Sequence, residues 1–127
     1  MSYKKLEVYQ LAEKLVIEIH EMTLKELPEF EKYEVGSQIR RSMKSVLSNI
    51  VEGYGRRDYQ KQYLQFLIMA QASLDETSNH LAILWKTKSF KDQNKYLLMN
   101  EEFDKLGRKL TLLIRKIRSD LKIINNP

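Results

Sequence analysis

The spacing of apolar residues constrains the fold of this chain more than any other feature of the sequence. Along four segments, apolar residues recur in alternating steps of three and four, which is the spacing of one face of an α-helix. The four stripes are Val8, Ala12, Leu15, Ile19 and Met22; Ile39, Met43, Val46 and Ile50; Tyr63, Leu67, Ala70, Leu74, Thr77, Leu81 and Leu84; and Phe103, Leu106, Leu110, Leu113, Ile117, Leu121 and Ile124. No segment alternates strictly between apolar and polar residues, as a half-buried strand does. The pattern therefore predicts an all-α chain.

The connections between the stripes are short, which favours antiparallel neighbours. Only four glycines and two prolines occur in 127 residues, and Pro28 disfavours a helical conformation in the residue before it. We therefore predict one domain, an up-down-up-down antiparallel four-helix bundle. Its predicted bounds are residues 1–127 for the domain and roughly 4–27, 35–54, 58–88 and 93–124 for the helices.

Composition excludes several other classes of protein. The chain has no cysteine, so it forms neither disulfides nor thiolate metal sites. No apolar run approaches the ~20 residues that cross a bilayer. Charged residues interrupt the N-terminal segment where a signal peptide would need an apolar core. We expect a cytoplasmic protein that does not act at a membrane.

Charge is distributed unevenly along the chain, whose net charge is +5. Residues 1–35 hold five lysines and eight glutamates, for −3. Residues 36–61 hold six basic and two acidic residues, for +4, and residues 103–127 hold seven basic and two acidic residues, for +5. An acidic first helix beside basic second and fourth helices favours either nucleic-acid binding or pairing between subunits.

The end of the predicted second helix has the sequence S-V-L-S-N-I-V-E-G-Y-G-R-R, at residues 45–57. We predict that Gly53 and Gly55 end this helix in a left-handed conformation and that Asp58 caps the next helix. A second, polar stripe steps along the same helix at Gln38, Ser42, Ser45, Asn49 and Glu52. It is either a solvated flank or a partly buried row whose asparagine and glutamate bond to the adjoining turn or to another helix.

Several segments of the chain match a known family. They are Q-I-R-R at 38–41, S-N-I-V-E-G-Y-G-R-R at 48–57, F-L at 66–67 and A-S-L-D-E at 72–76, with L-E-V-Y-Q-L-A at 6–12 and P-E-F-E-K-Y at 28–33. In these segments the chain resembles the small bacterial four-helix-bundle proteins encoded within intervening sequences of 23S rRNA genes. The motif residues are Gln38, Asn49, Glu52, Gly53, Gly55, Asp58, Ser73 and Glu76. The chain departs from the family at Asp58, where serine is usual, and at Lys61, where an acidic residue is usual.

The resemblance implies a homo-oligomer, a pentameric ring or barrel of four-helix bundles. Accessory proteins of diversity-generating retroelements are similar in fold and assembly, and they use a basic surface to engage nucleic acid and a reverse transcriptase. The location of the genes of the intervening-sequence proteins does not define a mechanism, and a shared fold does not carry function with it.

Nine basic residues are candidates for binding RNA or DNA. They are Arg40, Arg41, Lys44, Arg56, Arg57, Lys61, Arg108, Arg115 and Lys122. Phosphates favour guanidinium groups and helix N-termini, and the neighbouring Tyr54 and Tyr59 are suited to stack on unpaired bases. The last three basic residues form one ridge on the fourth helix, which fits a phosphate backbone. Two alternatives stay open: the basic side chains are only solvated, or the ridge faces the acidic first helix of the same bundle or of a neighbouring subunit.

The sequence offers little that supports catalysis. His20 and His80 are the only histidines, and neither lies in the Glu-x-x-His motif of a di-iron bundle. Glu76 and His80 lie one turn apart, where an intrahelical hydrogen bond explains them better than a metal does. Serine-nucleophile motifs and phosphate-binding glycine loops are also missing. We predict that the protein is not an enzyme and uses no cofactor or metal.

Apolar residues outside the main stripes point to self-association. They are Tyr9, Leu11, Val16, Ile17 and Leu24 on the first helix and Leu64 and Ile68 on the third. A bundle helix needs about three apolar positions in seven, so this surplus suits an interface. We predict a homo-oligomer whose basic faces bind RNA or DNA. The alternative is a protein-interaction scaffold whose charges serve subunit assembly only.

Overall fold

The computed structural model describes residues 2–125, with side chains as far as Lys122, and these residues form helices and connections without a strand. A short 3-10 helix precedes five α-helices. The 3-10 helix spans Tyr3–Lys5, and the α-helices are α1 (Glu7–Lys25), α2 (Glu29–Lys32), α3 (Val35–Tyr54), α4 (Gln60–Lys86) and α5 (Gln93–Asn125). The all-α prediction is confirmed, with α1, α3, α4 and α5 as the four long helices. The single turn α2 lies within the predicted first connection.

The core lies where the apolar stripes predict it. Every residue of the first three stripes is buried, including Thr77. On α5 the buried row runs through Ile114, whereas Leu113 is only half-buried. On a straight helix, a row of residues with a strict seven-residue repeat drifts by about 20° per heptad around the helix axis. A second consecutive step of four, from Leu110 to Ile114, keeps the row facing the core. The side chain of Ile124, the last residue of the predicted stripe, lies outside the described part of the chain.

The four long helices form a ring of neighbours. Helix α3 packs against α1 and α4, and α5 packs against α4 and α1, so α3 and α5 are diagonal. Trp85 on α4 stacks on Tyr96 on α5, with ring centroids 4.7 Å apart. Farther along, Gln71 Nε2 donates to Thr111 Oγ1 at 2.9 Å. Residue numbers therefore fall along α4 as they rise along α5, which is consistent with the expected antiparallel arrangement.

The turn between α3 and α4 differs from the prediction. No glycine in the described chain has a positive φ, and the φ of Gly55 is −61°. The left-handed conformation predicted for Gly53 and Gly55 is therefore wrong. Gly53 instead lets two helices approach, because a Cβ on it would lie 2.9 Å from Phe66 Cβ and 3.2 Å from Tyr63 Cδ1.

The predicted cap of the following helix is also wrong. The residue at the N-cap of α4 is Tyr59, not Asp58, and no side chain bonds to the first turn from that position. Hydrogen bonds from Arg57 N to Tyr54 O and from Tyr59 N to Arg56 O make two overlapping turns. These turns use the residues between the helices and leave Asp58 exposed on the outside.

Candidate nucleic-acid interface

The predicted basic residues fall on three surfaces rather than one. Arg41 and Lys44 are exposed on α3. The turn into α4 carries Arg56, Arg57 and Lys61, and the exposed side of α5 carries Arg108, Arg115 and Lys122. Because α3 and α5 are diagonal, the α3 group and the α5 group lie on different sides of the bundle.

Arg40 is used inside the bundle. Its side chain is half-buried, and its Nη1 donates to Thr23 Oγ1 at 2.8 Å while Nη2 donates to the Lys32 carbonyl at 2.9 Å. One guanidinium group thus joins α3 to the end of α1 and to α2. We leave Arg40 out of the candidate interface, because binding phosphate would break these hydrogen bonds.

Two arginines of the turn lie over aromatic rings. The Cζ of Arg56 is 4.7 Å from the centroid of the Phe66 ring, and the Cζ of Arg57 is 4.3 Å from that of Tyr54. Each also donates to a backbone carbonyl of α3, at 3.1 and 3.0 Å. Cation–π contacts of this kind orient a guanidinium group without consuming all of its donors, so both arginines are held in place with N–H groups to spare.

Only one of the two tyrosines predicted to stack on bases is available. Tyr54 is 8% exposed, and its ring is covered by Arg57 and by the edge of Tyr63. Burial, followed by the neighbouring Tyr54, raises the pKa of Tyr63, so this phenol stays protonated. Tyr59, in contrast, is 66% exposed beside the turn.

Lys122 belongs to the same end of the bundle as the turn. Gln71 and Thr111 are level, as their hydrogen bond shows. Both helices rise by about 1.5 Å per residue. Gln60 lies eleven residues before Gln71 on α4, and Lys122 lies eleven residues after Thr111 on α5. Because the two helices run in opposite directions, Gln60 and Lys122 are also level. This end therefore collects Arg57, Lys61 and Lys122, all exposed.

Charged residues of both signs on α1 and α5 have partners in their own chain. Lys109 Nζ lies 3.1 Å from Glu7 Oε2, Lys14 Nζ lies 3.2 Å from Glu102 Oε2, and Lys95 bonds to Glu26. These three ion pairs join α1 to α5. None of the nine candidate residues forms an ion pair within the described part of the chain.

The polar stripe of α3 divides into a buried middle and exposed ends. Ser42 bonds to Thr77 Oγ1 at 2.8 Å, and Ser45 bonds to Ser73 Oγ at 2.9 Å, so hydroxyl pairs join α3 to α4. Asn49 is half-buried and donates to the Ser45 carbonyl of its own helix at 2.9 Å. Gln38 and Glu52, the remaining stripe members, are exposed. Thr77 belongs to an otherwise apolar row, so its partner could not be read from spacing alone.

The sequence did not predict that the carboxylate of Glu31 is buried. Glu31 is 7% exposed, and it accepts from the Val35 amide at 3.1 Å and from Ser89 Oγ at 2.7 Å. It therefore caps the start of α3 and joins that end to the connection after α4. The only feature of the sequence that hints at this capping role is the position of Glu31, four residues before the first residue of α3.

The histidines do not meet in one site. His20 is exposed on α1 and His80 lies on α4, the helix diagonal to α1. His80 Nε2 lies 3.3 Å from Glu76 Oε1 on the same helix. Among the described residues, no group of three or more potential ligands is arranged to hold a metal ion. In the same part of the chain, every helix is too short or too polar to cross a lipid bilayer.

Comparison with known proteins places the chain in a family. A search of the curated proteins found no match. The family model described as 23S rRNA-intervening sequence protein matches residues 4–112. The match covers α1 to α4 and continues into α5, beyond the segments in which the sequence motifs lie. This chain belongs to the family of 23S rRNA-intervening sequence proteins.

Proposed function

We propose that this protein is a non-enzymatic homo-oligomer whose basic end binds RNA or DNA. The binding surface consists of Arg57 and Lys61 at the turn between α3 and α4, with Lys122 at the end of α5. Arg41 and Lys44 extend the positive surface along α3. The assembly proposed is a pentamer, as the resemblance implies.

One observation carries this proposal: the positive charge of the basic end has no acidic partner in the described chain. The ion pairs between α1 and α5 use Lys14, Lys95 and Lys109, which are not among the candidates. Exposed, unpaired basic side chains attract phosphates and release counterions from nucleic acid on binding. The exposed Tyr59 adds a ring on which an unpaired base can stack.

Salt-dependent binding tests the proposal. We expect short fluorescent RNA or DNA oligonucleotides to bind at about 50 mM salt and to lose affinity steeply toward about 200 mM. The variant Arg57→Gln/Lys61→Gln removes two proposed phosphate contacts. The negative slope of log K against log salt should therefore become shallower by about 2. The matched control is Lys86→Gln/Lys91→Gln, which makes the same change in charge on exposed residues at the other end of α4.

Two results would refute the proposal. One is the absence of binding at low salt for every single-stranded and duplex oligonucleotide tested. The other is an equal reduction of the salt dependence of binding in both double variants. That result would mean that only net charge matters and that the turn between α3 and α4 is not a binding site.

The protein-interaction scaffold has a separate observation in its favour. Phe30 and Tyr33, in the connection before α3, are 69% and 72% exposed. Aromatic side chains of this kind are enriched at protein interfaces, and these two lie at the end of α3 opposite the basic turn. Assembly that persists while nucleic-acid binding is absent would favour the scaffold.

The non-enzymatic proposal has its own test. Two observations support it: His80 pairs with Glu76 on its own helix, and the described residues hold no group of three or more His, Asp or Glu that could bind a metal ion. Stoichiometric iron or zinc in the purified protein would contradict the proposal and reopen the question of a metal-dependent reaction.

A further inference from the structure

The outer surface between α4 and α5 carries a groove of about 650 Å³. Its lining comes from both helices and comprises Gln71, Leu74, Asp75, Ser78, Phe103, Asp104, Gly107, Arg108, Thr111, Leu112 and Arg115. The floor is open at Gly107, where a Cβ would meet only Leu74 Cδ2, at 3.7 Å. Leu112 is 63% exposed at this groove, so a large aliphatic side chain lies uncovered beside an open floor.

The charges of the groove are ordered around Leu112. Arg108 lies four residues before it and Arg115 three residues after it, and both are exposed on the same side of α5. The two guanidinium-bearing residues are about 10 Å apart along the helix axis. Asp104, one turn before Arg108, adds an acidic residue at one end of the row, and Asp75 adds another on the α4 wall.

The outer face of α1 has the same layout with the opposite sign. Ile17 is 53% exposed, with the exposed Glu13 four residues before it and the exposed Glu21 four residues after it. The two carboxylates are about 12 Å apart along the helix axis. Beyond Glu21, the exposed Lys25 follows one turn later, and its sign opposes that of Asp104 when the two helices are antiparallel.

We propose that the outer face of α1 of one copy docks in the α4–α5 groove of the next copy, with Ile17 against Leu112 and the flanking glutamates against Arg108 and Arg115. The interface rests on the homo-oligomer proposed above and adds the surfaces that join its subunits. Glu13 and Glu21 flank Ile17 on both sides, so they can face Arg108 and Arg115 in either direction of the docked helix, whereas Lys25 faces Asp104 only when that helix is antiparallel to α5. Lys14, the exposed lysine three residues before Ile17, is paired with Glu18 and Glu102 of its own chain.

The two surfaces differ, so the contact is heterologous and each copy offers one of each. Heterologous contacts build closed rings when the rotation between copies closes, and filaments when it does not. The contact also assigns different tasks to the basic residues. Arg108 and Arg115 serve assembly, whereas Arg57, Lys61 and Lys122 remain free for nucleic acid.

Reversal and exchange of the charges test the interface. Glu13→Arg/Glu21→Arg and Arg108→Glu/Arg115→Glu each place like charges in opposition, and each should weaken subunit association by about tenfold or more, measured by sedimentation over a range of protein concentrations. The quadruple variant restores opposite charges and should restore the assembly. Arg41→Glu/Lys44→Glu on α3 changes the charge as much as the groove reversal does and should leave the assembly intact.

The outcomes separate this inference from the function on which it rests. A wild-type protein that sediments as a monomer overturns the proposed homo-oligomer and the interface together. A wild-type oligomer that either charge reversal leaves intact overturns the interface alone, as does a quadruple variant that stays dissociated while its circular dichroism shows native helix content.

Discussion

The substitution of alanine at two glycines tests how α3 and α4 approach each other. Gly53 lies in the last turn of α3 and Gly107 in the interior of α5, and their surroundings differ. A Cβ on Gly53 would lie 2.9 Å from Phe66 Cβ, which is shorter than ordinary contact allows, whereas a Cβ on Gly107 would lie 3.7 Å from a methyl group of Leu74, an ordinary contact distance. The same chemical change should therefore have opposite effects at the two positions.

The magnitudes follow from helix propensity and packing. Alanine in place of glycine in a helix interior stabilises the folded state by about 1 kcal/mol, and Gly107→Ala should show this gain. At Gly53 the added methyl group forces α3 away from α4, which costs roughly 1–3 kcal/mol and offsets the gain in propensity. We expect Gly53→Ala to be destabilised by about 1 kcal/mol, so the two variants should differ by about 2 kcal/mol.

Urea unfolding followed by circular dichroism measures this difference. With a slope of about 2 kcal/mol per molar for a domain of this size, the two midpoints should be separated by about 1 M urea. All samples are compared at one protein concentration after their oligomeric state has been checked, since association shifts apparent stability. If Gly53→Ala is as stable as Gly107→Ala, the contact between α3 and α4 does not depend on a missing side chain at position 53.

Two further perturbations test the interior and the charges of the bundle. Ser45→Ala leaves the half-buried hydroxyl of Ser73 without its partner and should lower the free energy of unfolding by about 1–3 kcal/mol. The double variant Ser45→Ala/Ser73→Ala should lose less than the sum of the two single variants. A double-mutant cycle of urea unfolding measures this difference. Burial, followed by repulsion from Glu102, raises the pKa of Glu18, so the folded state favours its protonated form, and its stabilising contribution is lost as the pH rises through the raised pKa. Glu18→Gln should therefore raise the melting temperature near neutral pH and leave it unchanged near pH ~3, below the usual carboxyl range, and a variant that melts lower than wild type at neutral pH would contradict this reasoning.

The fold could be predicted from the sequence because helical spacing reports directly on burial. Every residue of the first three predicted stripes is buried, since each stripe is one continuous face. The turn between α3 and α4 could not be predicted in the same way. Glycine permits both a left-handed turn and a close helix contact, and only the position of Phe66 on the neighbouring helix decides between them at Gly53.

The candidate site was less predictable because charge alone does not reveal a partner. Arg40 and Arg41 are adjacent in sequence, yet Arg40 bonds to Thr23 and to the Lys32 carbonyl while Arg41 is exposed. Successive residues on a helix point about 100° apart, so one of two neighbours can face another helix while the other faces solvent. The buried Glu31 was missed for a related reason: its partner Ser89 lies 58 residues away in sequence.

The uneven charge of the chain acquires a structural explanation once these pairs are known. Lysines of α1 and α5 neutralise Glu7, Glu26 and Glu102 within one protomer, and none of these lysines is a candidate for binding nucleic acid. Glu13 and Glu21 lie on the outer face of α1, Arg108 and Arg115 line the α5 groove, and Arg57, Lys61 and Lys122 lie at the basic end. Because the groove and the basic end hold different residues, we expect substitutions to separate the proposed subunit assembly from the proposed nucleic-acid binding, and the loss of one should leave the other intact.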